Sequence, residues 1–427
     1  MKKILALLLG CCLLFALCAC EGNGFVETPD AETGALVVTE TPATTAAPTV
    51  DVKETLGAPI LVSVVSHNME YEAPDGSGRV ILSFGYDEAK VYMENDPEAA
   101  EHINHTLAVQ DELFYSGSGE GDGLNGMLER AIDNFGYVMN EGNNKSVEFS
   151  CVRSVRVARG DSRIVCLCYR VNSYTGGAHG TYSDRSLVFD AQSGALLTLD
   201  SISTDRTALE QTMLEHMLET VNSDVRYQPI LGYLEQFSEK NLSDALRAII
   251  REGRWELNEE GLTVFSDIGE LGSYADGVIR FTLPYESLQD LVDERFFPVE
   301  RLENGELRVL PLSGATDPGL PLVDKITLDA DGQELCLAVS GTVYGLAVDS
   351  VSYFSDEIGF YQTSTHWYGS YLSNSGLQIK TELPDGMPDL MIRYTDAEGV
   401  AHRYLLTQSG EDGSLILMDA ESIAAVG

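Results

Sequence analysis

The residue best suited by type and spacing to do chemistry is a histidine set between glycines, in Tyr174-Thr-Gly-Gly-Ala-His179-Gly180. An exposed imidazole titrates near neutral pH and can serve as a general base or as a ligand. Gly176, Gly177 and Gly180 equally suit a tight turn in which the ring hydrogen-bonds the backbone. These four residues are the candidate binding turn, and a catalytic role would require a carboxylate such as Asp184 within hydrogen-bond reach of His179. His102 and His105, three apart beside Glu98 and Glu101, could begin a metal site. The sequence places no further ligand there, so two solvated imidazoles are expected. Gly121-Asp-Gly-Leu-Asn-Gly126 spells the dinucleotide fingerprint, but a helix precedes it and no parallel β-α-β unit surrounds it, so it reads as a linker. Asp329-Ala-Asp331-Gly332 has its glycine too early for a calcium loop and reads as a hairpin turn. The chain has no Gly-x-Ser-x-Gly elbow, His-Glu-x-x-His helix or phosphate loop. No catalytic residue, bound metal or cofactor is therefore expected.

Cysteine chemistry is the next possibility. Cys166 and Cys168 lie two apart in the alternating stretch Arg163-Ile-Val-Cys-Leu-Cys-Tyr-Arg-Val171, so a strand would carry both on one face. A bond between them is geometrically poor. A hairpin turning at Gly160-Asp161 would set Cys151 opposite Arg170, away from either thiol. With Cys336 far along the chain and no Cys-x-x-Cys spacing, buried free thiols are expected rather than a disulfide framework or metal cluster.

The elements that must position these residues follow from periodicity. Ile60–Ser66 and Val80–Val91 read as strands around Asp75-Gly-Ser-Gly78. Asp96-Pro97 caps a helix striped by Ile103, Leu107 and Phe114, and Leu124–Val138 forms a second. Strands are expected over Ser146–Ala158, Arg163–Asn172, Arg185–Phe189 and Ala195–Leu199. Helices follow on the Leu209, Met213, Met217, Val221 stripe and around Leu242–Ile250. Strands resume at Trp255–Leu257, Gly261–Phe265 and Val278–Leu283, with a short helix from Glu286. From about Leu307 only strands are read: Val323–Leu328, Glu334–Val343, Ala347–Phe354, Gly359–Trp367, Gln378–Glu382, Asp389–Thr395, His402–Thr407 and Leu415–Met418. The expected class is α+β: two consecutive α+β domains with antiparallel sheets at 56–172 and 173–300, then an all-β, sandwich-like accessory domain at 301–427.

Ahead of these stands an address segment. Met1-Lys2-Lys3 leads into the apolar run Ile4–Leu17, shorter than the roughly 20 residues a spanning helix needs, so residues 1–19 read as a secretory signal. Leu17-Cys18-Ala19-Cys20 resembles the bacterial lipobox, which makes Cys20 the lipidated N-terminus of the mature protein. Cys11 also matches, but too little apolar sequence precedes it. Residues 20–55 are rich in Thr, Pro and Ala and read as a disordered tether. The expected location is the outer face of the bacterial cytoplasmic membrane, reached through the lipid anchor only. The 427-residue chain carries a formal net charge of −40, which excludes nucleic acid as a partner and favours cationic ones, while its 44% hydrophobic content supports a buried core.

Tyr174-Thr-Gly-Gly-Ala-His-Gly180, Phe189-Asp190, Ser193-Gly194, Leu197-Thr-Leu-Asp200, Gly261-Leu-Thr-Val-Phe265, Tyr274-Ala-Asp-Gly277 and Leu283-Pro-Tyr-Glu-Ser-Leu288 together resemble a known family. It comprises the extracellular domains of RsiV-type anti-sigma factors and the region preceding the catalytic domain of PdaC-type peptidoglycan deacetylases. The resemblance spans roughly residues 56–300. It implies a ligand-binding role, with lysozyme, another cationic wall protein or a cell-wall fragment as the partner. Two departures limit it. Only Met1-Lys2-Lys3 precedes the apolar run, so sigma-factor sequestration is not expected, and only His366 and His402 follow Pro298, so the deacetylase metal chemistry is not expected. The sequence thus reads as a lipid-anchored, non-enzymatic surface binding protein, the alternative being a cell-wall hydrolase or esterase with an unrecognised active site.

Overall fold

Strands β1 (Ile60–Glu72) and β2 (Val80–Met93) form the hairpin expected around Asp75–Gly78. The computed structural model describes residues 55–117, 123–140, 147–238, 240–312, 319–353, 360–384, 387–409 and 413–420, all within one compact unit, 48–427. The signal, Cys20 and the tether up to residue 54 lie outside the described residues. Proline sets the start of α1 (Pro97–Ser116), although the Asp96 side chain makes no cap hydrogen bond, and Gly117 ends the helix in the left-handed conformation. Its Ile103 and Leu107, with Phe114 and the Leu124, Met127 and Phe135 stripe of α2 (Gly123–Asn140), are buried beneath the sheet. Two helices bring the chain back to its starting end, so β3 (Phe149–Gly160) pairs parallel to β2.

Next, β4 (Ile164–Tyr174) and β5 (Thr181–Asp190) continue the sheet antiparallel. The β3–β4 turn falls at Asp161–Arg163, not at Gly160-Asp161. The Asp161 carboxylate accepts the amides of Arg163 (2.8 Å) and Ile164 (3.0 Å), and a bulge lies between Val157 and Arg159. Cys151 therefore faces Ser173, and Arg170 faces Ser154. The period of two sends Ile164, Cys166 and Cys168 into one core and Val165, Leu167 and Tyr169 into another. All four described cysteines are buried and free of disulfides.

Ala195–Leu199 forms only a bridge, Phe189 to Leu196, because Thr198 and Ser201 close a capping box that starts a helical turn, α3 (Leu199–Ile202). Helices α4 (Arg206–Ser223), α5 (Pro229–Phe237) and α6 (Leu242–Glu252) follow. They share a core with β4 and with a three-stranded antiparallel sheet, β6 (Trp255–Leu257), β7 (Gly261–Phe265) and β8 (Arg280–Pro284).

The remaining chain is strands: β9 (Glu306–Leu312), β10 (Leu322–Thr327), β11 (Gln333–Ser340), β12 (Thr342–Tyr353), β13 (Phe360–Ser373), β14 (Gly376–Thr381), β15 (Leu390–Thr395), β16 (Ala401–Gln408) and β17 (Leu415–Asp419). The single strand expected over Glu334–Val343 is two, because Gly341, at φ +75°, carries the chain from one sheet to the other. The sheet β10-β14-β11-β9 packs on β12, β13, β15 and β16 around buried Trp367, which gives the sandwich-like layering. Asp329–Gly332 is a turn but not a hairpin, since β14 lies between β10 and β11.

The second layer of that sandwich belongs to the whole molecule. β13 pairs with β1, Leu61 opposite Gly369, so one sheet of ten strands runs β17-β16-β15-β12-β13-β1-β2-β3-β4-β5. Strand β4 itself runs through 172/173, and strands from both sides of 300/301 share the sheet. At its centre the buried Tyr368 hydroxyl donates to the Gly160 carbonyl (3.0 Å) and accepts the Gly160 amide (2.9 Å). A Cβ on Gly160 would lie 2.7 Å from the Tyr368 ring, so only glycine allows this approach. Tyr368→Phe orphans a buried donor and acceptor, and a loss of about 1–3 kcal/mol in urea unfolding is expected.

Candidate functional site

The sequence-predicted turn lies at the surface. His179 is exposed, its ring stacks on Tyr274 with centroids 3.9 Å apart, and its Nδ1 lies 3.0 Å from the Gly180 carbonyl. Gly176 and Gly177 take φ of +95° and +109°, and the Tyr174 hydroxyl donates to Gly177 across the turn. The two segments Tyr174–Gly180 and Tyr274–Gly277 thus meet, and the Tyr182 hydroxyl ties them further by accepting the Val278 amide (3.2 Å). Asp184 does not orient His179. It is buried and held by arginines instead.

Those arginines begin a chain of charges that the sequence reading missed. Arg170 donates twice to Asp184, at 2.7 and 2.8 Å, while its guanidinium lies 4.6 Å from the Tyr182 ring centre. Arg280 links Asp184 to Glu256, reaching Glu256 at 3.2 Å. Glu256 also accepts from Arg156 (3.1 Å), the Cys168 thiol (2.8 Å) and the Asn258 amide (3.1 Å). The side chains of Asp184 and Glu256 are each 4% exposed. Burial opposes the charge on Glu256, but Arg156 and Arg280, helped by Cys168 and Asn258, overrule it and pull its carboxyl down to about 2. Asp184 is lowered in the same way: burial opposes its charge, and Arg170 and Arg280 outweigh it.

Beyond Arg156 and Glu256 the chain opens into a cleft of about 230 Å³ between the three-stranded sheet and the β15–β16 hairpin. On its walls Arg393 pairs with Asp349 (2.7 Å) and Arg403 faces Glu260 (3.7 Å), while Glu259 pairs with Arg301 (2.8 Å). Partial burial pushes the Glu259 carboxyl up, Asp161 adds to this, and Arg159, Arg301 and Arg393 pull against it. These groups can hold and orient a polar ligand. The Cys168 thiol that donates to Glu256 is buried on the core side of this seam.

The other sequence candidates stay separate from this seam. His102 Nδ1 lies 3.1 Å from the Ser193 carbonyl and His105 is exposed on α1. Gly123 and Gly126 lie in the first turn of α2, and Gly121 lies outside the described residues. Among the described residues no group of three or more His, Cys, Asp or Glu is arranged to hold a metal, and no helix is long and apolar enough to cross a membrane.

No family model matches this chain, and no curated protein does. Among solved structures it is similar to a member of the DUF3298 family from Bacteroides fragilis, with 16% identity and a TM-score of 0.39, covering 56% of this chain and 95% of that one. It is also similar to a DUF3298 family protein from Pseudomonas aeruginosa, with 13% identity and a TM-score of 0.38, covering 56% of this chain and 97% of that one.

Proposed function

We propose that the protein is a non-enzymatic, lipid-anchored binding protein of the outer face of the bacterial cytoplasmic membrane, held through Cys20 and its tether, that captures a cationic partner such as lysozyme or another basic wall-associated protein. The observation that carries this reading is the acidic balance of the chain. Its formal net charge is −40, and buried arginines such as Arg159 and Arg153 are each matched by a carboxylate, Asp161 and Asp111, so the excess negative charge is left to groups such as Asp200 and Glu306, 82 and 62% exposed. An acidic exterior raises the encounter rate with a basic protein. The resemblance to the RsiV and PdaC extracellular regions points to the same class of ligand. The His179 ring, close to the Gly180 carbonyl of its own loop and stacked on Tyr274 of a second segment, supports binding over hydrolysis.

Titration of residues 48–427 with lysozyme at rising salt tests the reading. Specific capture survives about 0.15 M salt, where the Debye length is about 8 Å, whereas diffuse attraction fades. An unrelated protein of equal acidity that binds as well would overturn it, as would turnover of peptidoglycan abolished by His179→Ala.

A further inference from the structure

Each charge on the walls of the cleft already has an opposite charge beside it. Arg156 and Arg280 share Glu256, Arg393 has Asp349, Arg403 faces Glu260 and Glu259 has Arg301. A cation entering the cleft meets guanidiniums as soon as it meets carboxylates, and an anion meets the reverse, so neither sign gains. A network of this kind is a poor way to hold sheets together, because well-packed apolar side chains in its place are often as stable or more so. Here it also borders open space, with perturbed carboxylates at its edge, which is the pattern of a binding site rather than of a core.

What the walls do offer is interleaved donors and acceptors. Guanidinium N–H groups alternate with carboxylate oxygens, and the hydroxyls of Thr263 and Thr282, 2.7 Å apart, add groups that can do either. Tyr394 and His402, stacked with centroids 4.8 Å apart, bring flat carbon faces to the β15–β16 side. A ligand that suits this surface carries hydroxyls in both roles, has no net charge and has an apolar ring face. At about 230 Å³ the cleft holds on the order of seven water volumes and falls below the range from about 300 Å³ typical of drug-sized ligands. One ring fits, and an extended chain does not.

We propose that this cleft binds an uncharged polyhydroxylated ligand, a single pyranose ring or the terminal ring of a saccharide. The site is separate from the acidic exterior and does not rest on the capture of a basic protein. Calorimetric titration of the full-length protein with glucose and N-acetylglucosamine, alongside their charged counterparts glucosamine and glucuronate, tests it. Saturable binding of at least one uncharged sugar is expected, with both charged analogues weaker by about tenfold. Ala401→Trp, which fills the cleft mouth from an exposed position, is expected to abolish binding. Thr282→Val, which removes one hydroxyl at nearly constant shape, is expected to weaken it about tenfold. Melting temperature checks that both variants fold. Lack of saturation by either uncharged sugar, tighter binding of a charged analogue, or wild-type binding by folded Ala401→Trp would each overturn the proposal.

Discussion

Glu256→Gln is expected to lower the unfolding free energy by about 3–5 kcal/mol, the loss typical when one member of a buried ion pair is removed and its partners stay charged. The carboxylate is the point where Arg156, Arg280 and Cys168 converge, and the neutral amide leaves two guanidiniums facing each other. The effect carries a pH signature. The Glu256 carboxyl sits at about 2 in the folded protein against an ordinary 4.5, so its folded value is depressed. Its contribution, about 3 kcal/mol, is complete above about pH 4.5 and is lost as pH falls through about 2. Urea unfolding of both proteins from pH 6 down to pH 2 should therefore show their difference shrinking towards acid. A difference that is constant with pH would mean that the carboxylate charge is not what holds the seam.

Trp367→Ala should cost about 3–5 kcal/mol through the cavity it opens between the two layers of the sandwich, and it also strips Asp324 of the indole N–H that donates to it at 2.9 Å. More informative is where the loss is felt. Trp367 lies on β13, which pairs with β12 on one side and β1 on the other, so damage in the sandwich reaches the strands of the first α+β part. With Trp367 gone, Trp255 is the remaining tryptophan, and it reports from the helical core around β6. Its fluorescence and the far-ultraviolet signal are expected to move together to a lower midpoint. Trp255 holding the wild-type midpoint while the far-ultraviolet signal splits would mean that the sandwich unfolds by itself.

Local patterns in this chain are legible wherever a physical rule acts over a few residues. Pro97 and Gly117 bound α1, and alternation alone places Cys166 and Cys168 on one face. Helix α5 escapes because Ile230 and Leu234 are its only buried residues, too few to make a stripe. The β3–β4 register shifts because the Asp161 side chain, rather than Gly160, closes the turn. The pairing of β1 with β13 leaves no local trace, since it joins segments about 300 residues apart. The site is hidden for a related reason. Arg170 and Asp184 become neighbours only once the β4–β5 register is known, and Glu256 and Arg280 sit on strands of three and five residues that carry little pattern of their own. The glycine-flanked His179 draws attention in the sequence, while the charge-bearing seam begins one turn away at Tyr182.

The position of β1 between β2 and β13 sets a timetable for the nascent chain. The Ile60 amide donates to the Ser370 hydroxyl, a separation of 310 residues, so the first strand to be made keeps an open edge until nearly the whole chain has emerged. At synthesis rates of about 5–20 residues per second that wait lasts on the order of 15–60 seconds. During it, the stretch Ile60–Val65, apolar apart from Ser63, is available to any other unpaired strand. That edge of β1 therefore closes late, and its exposure to stray pairing is greatest before β13 arrives to fill the gap.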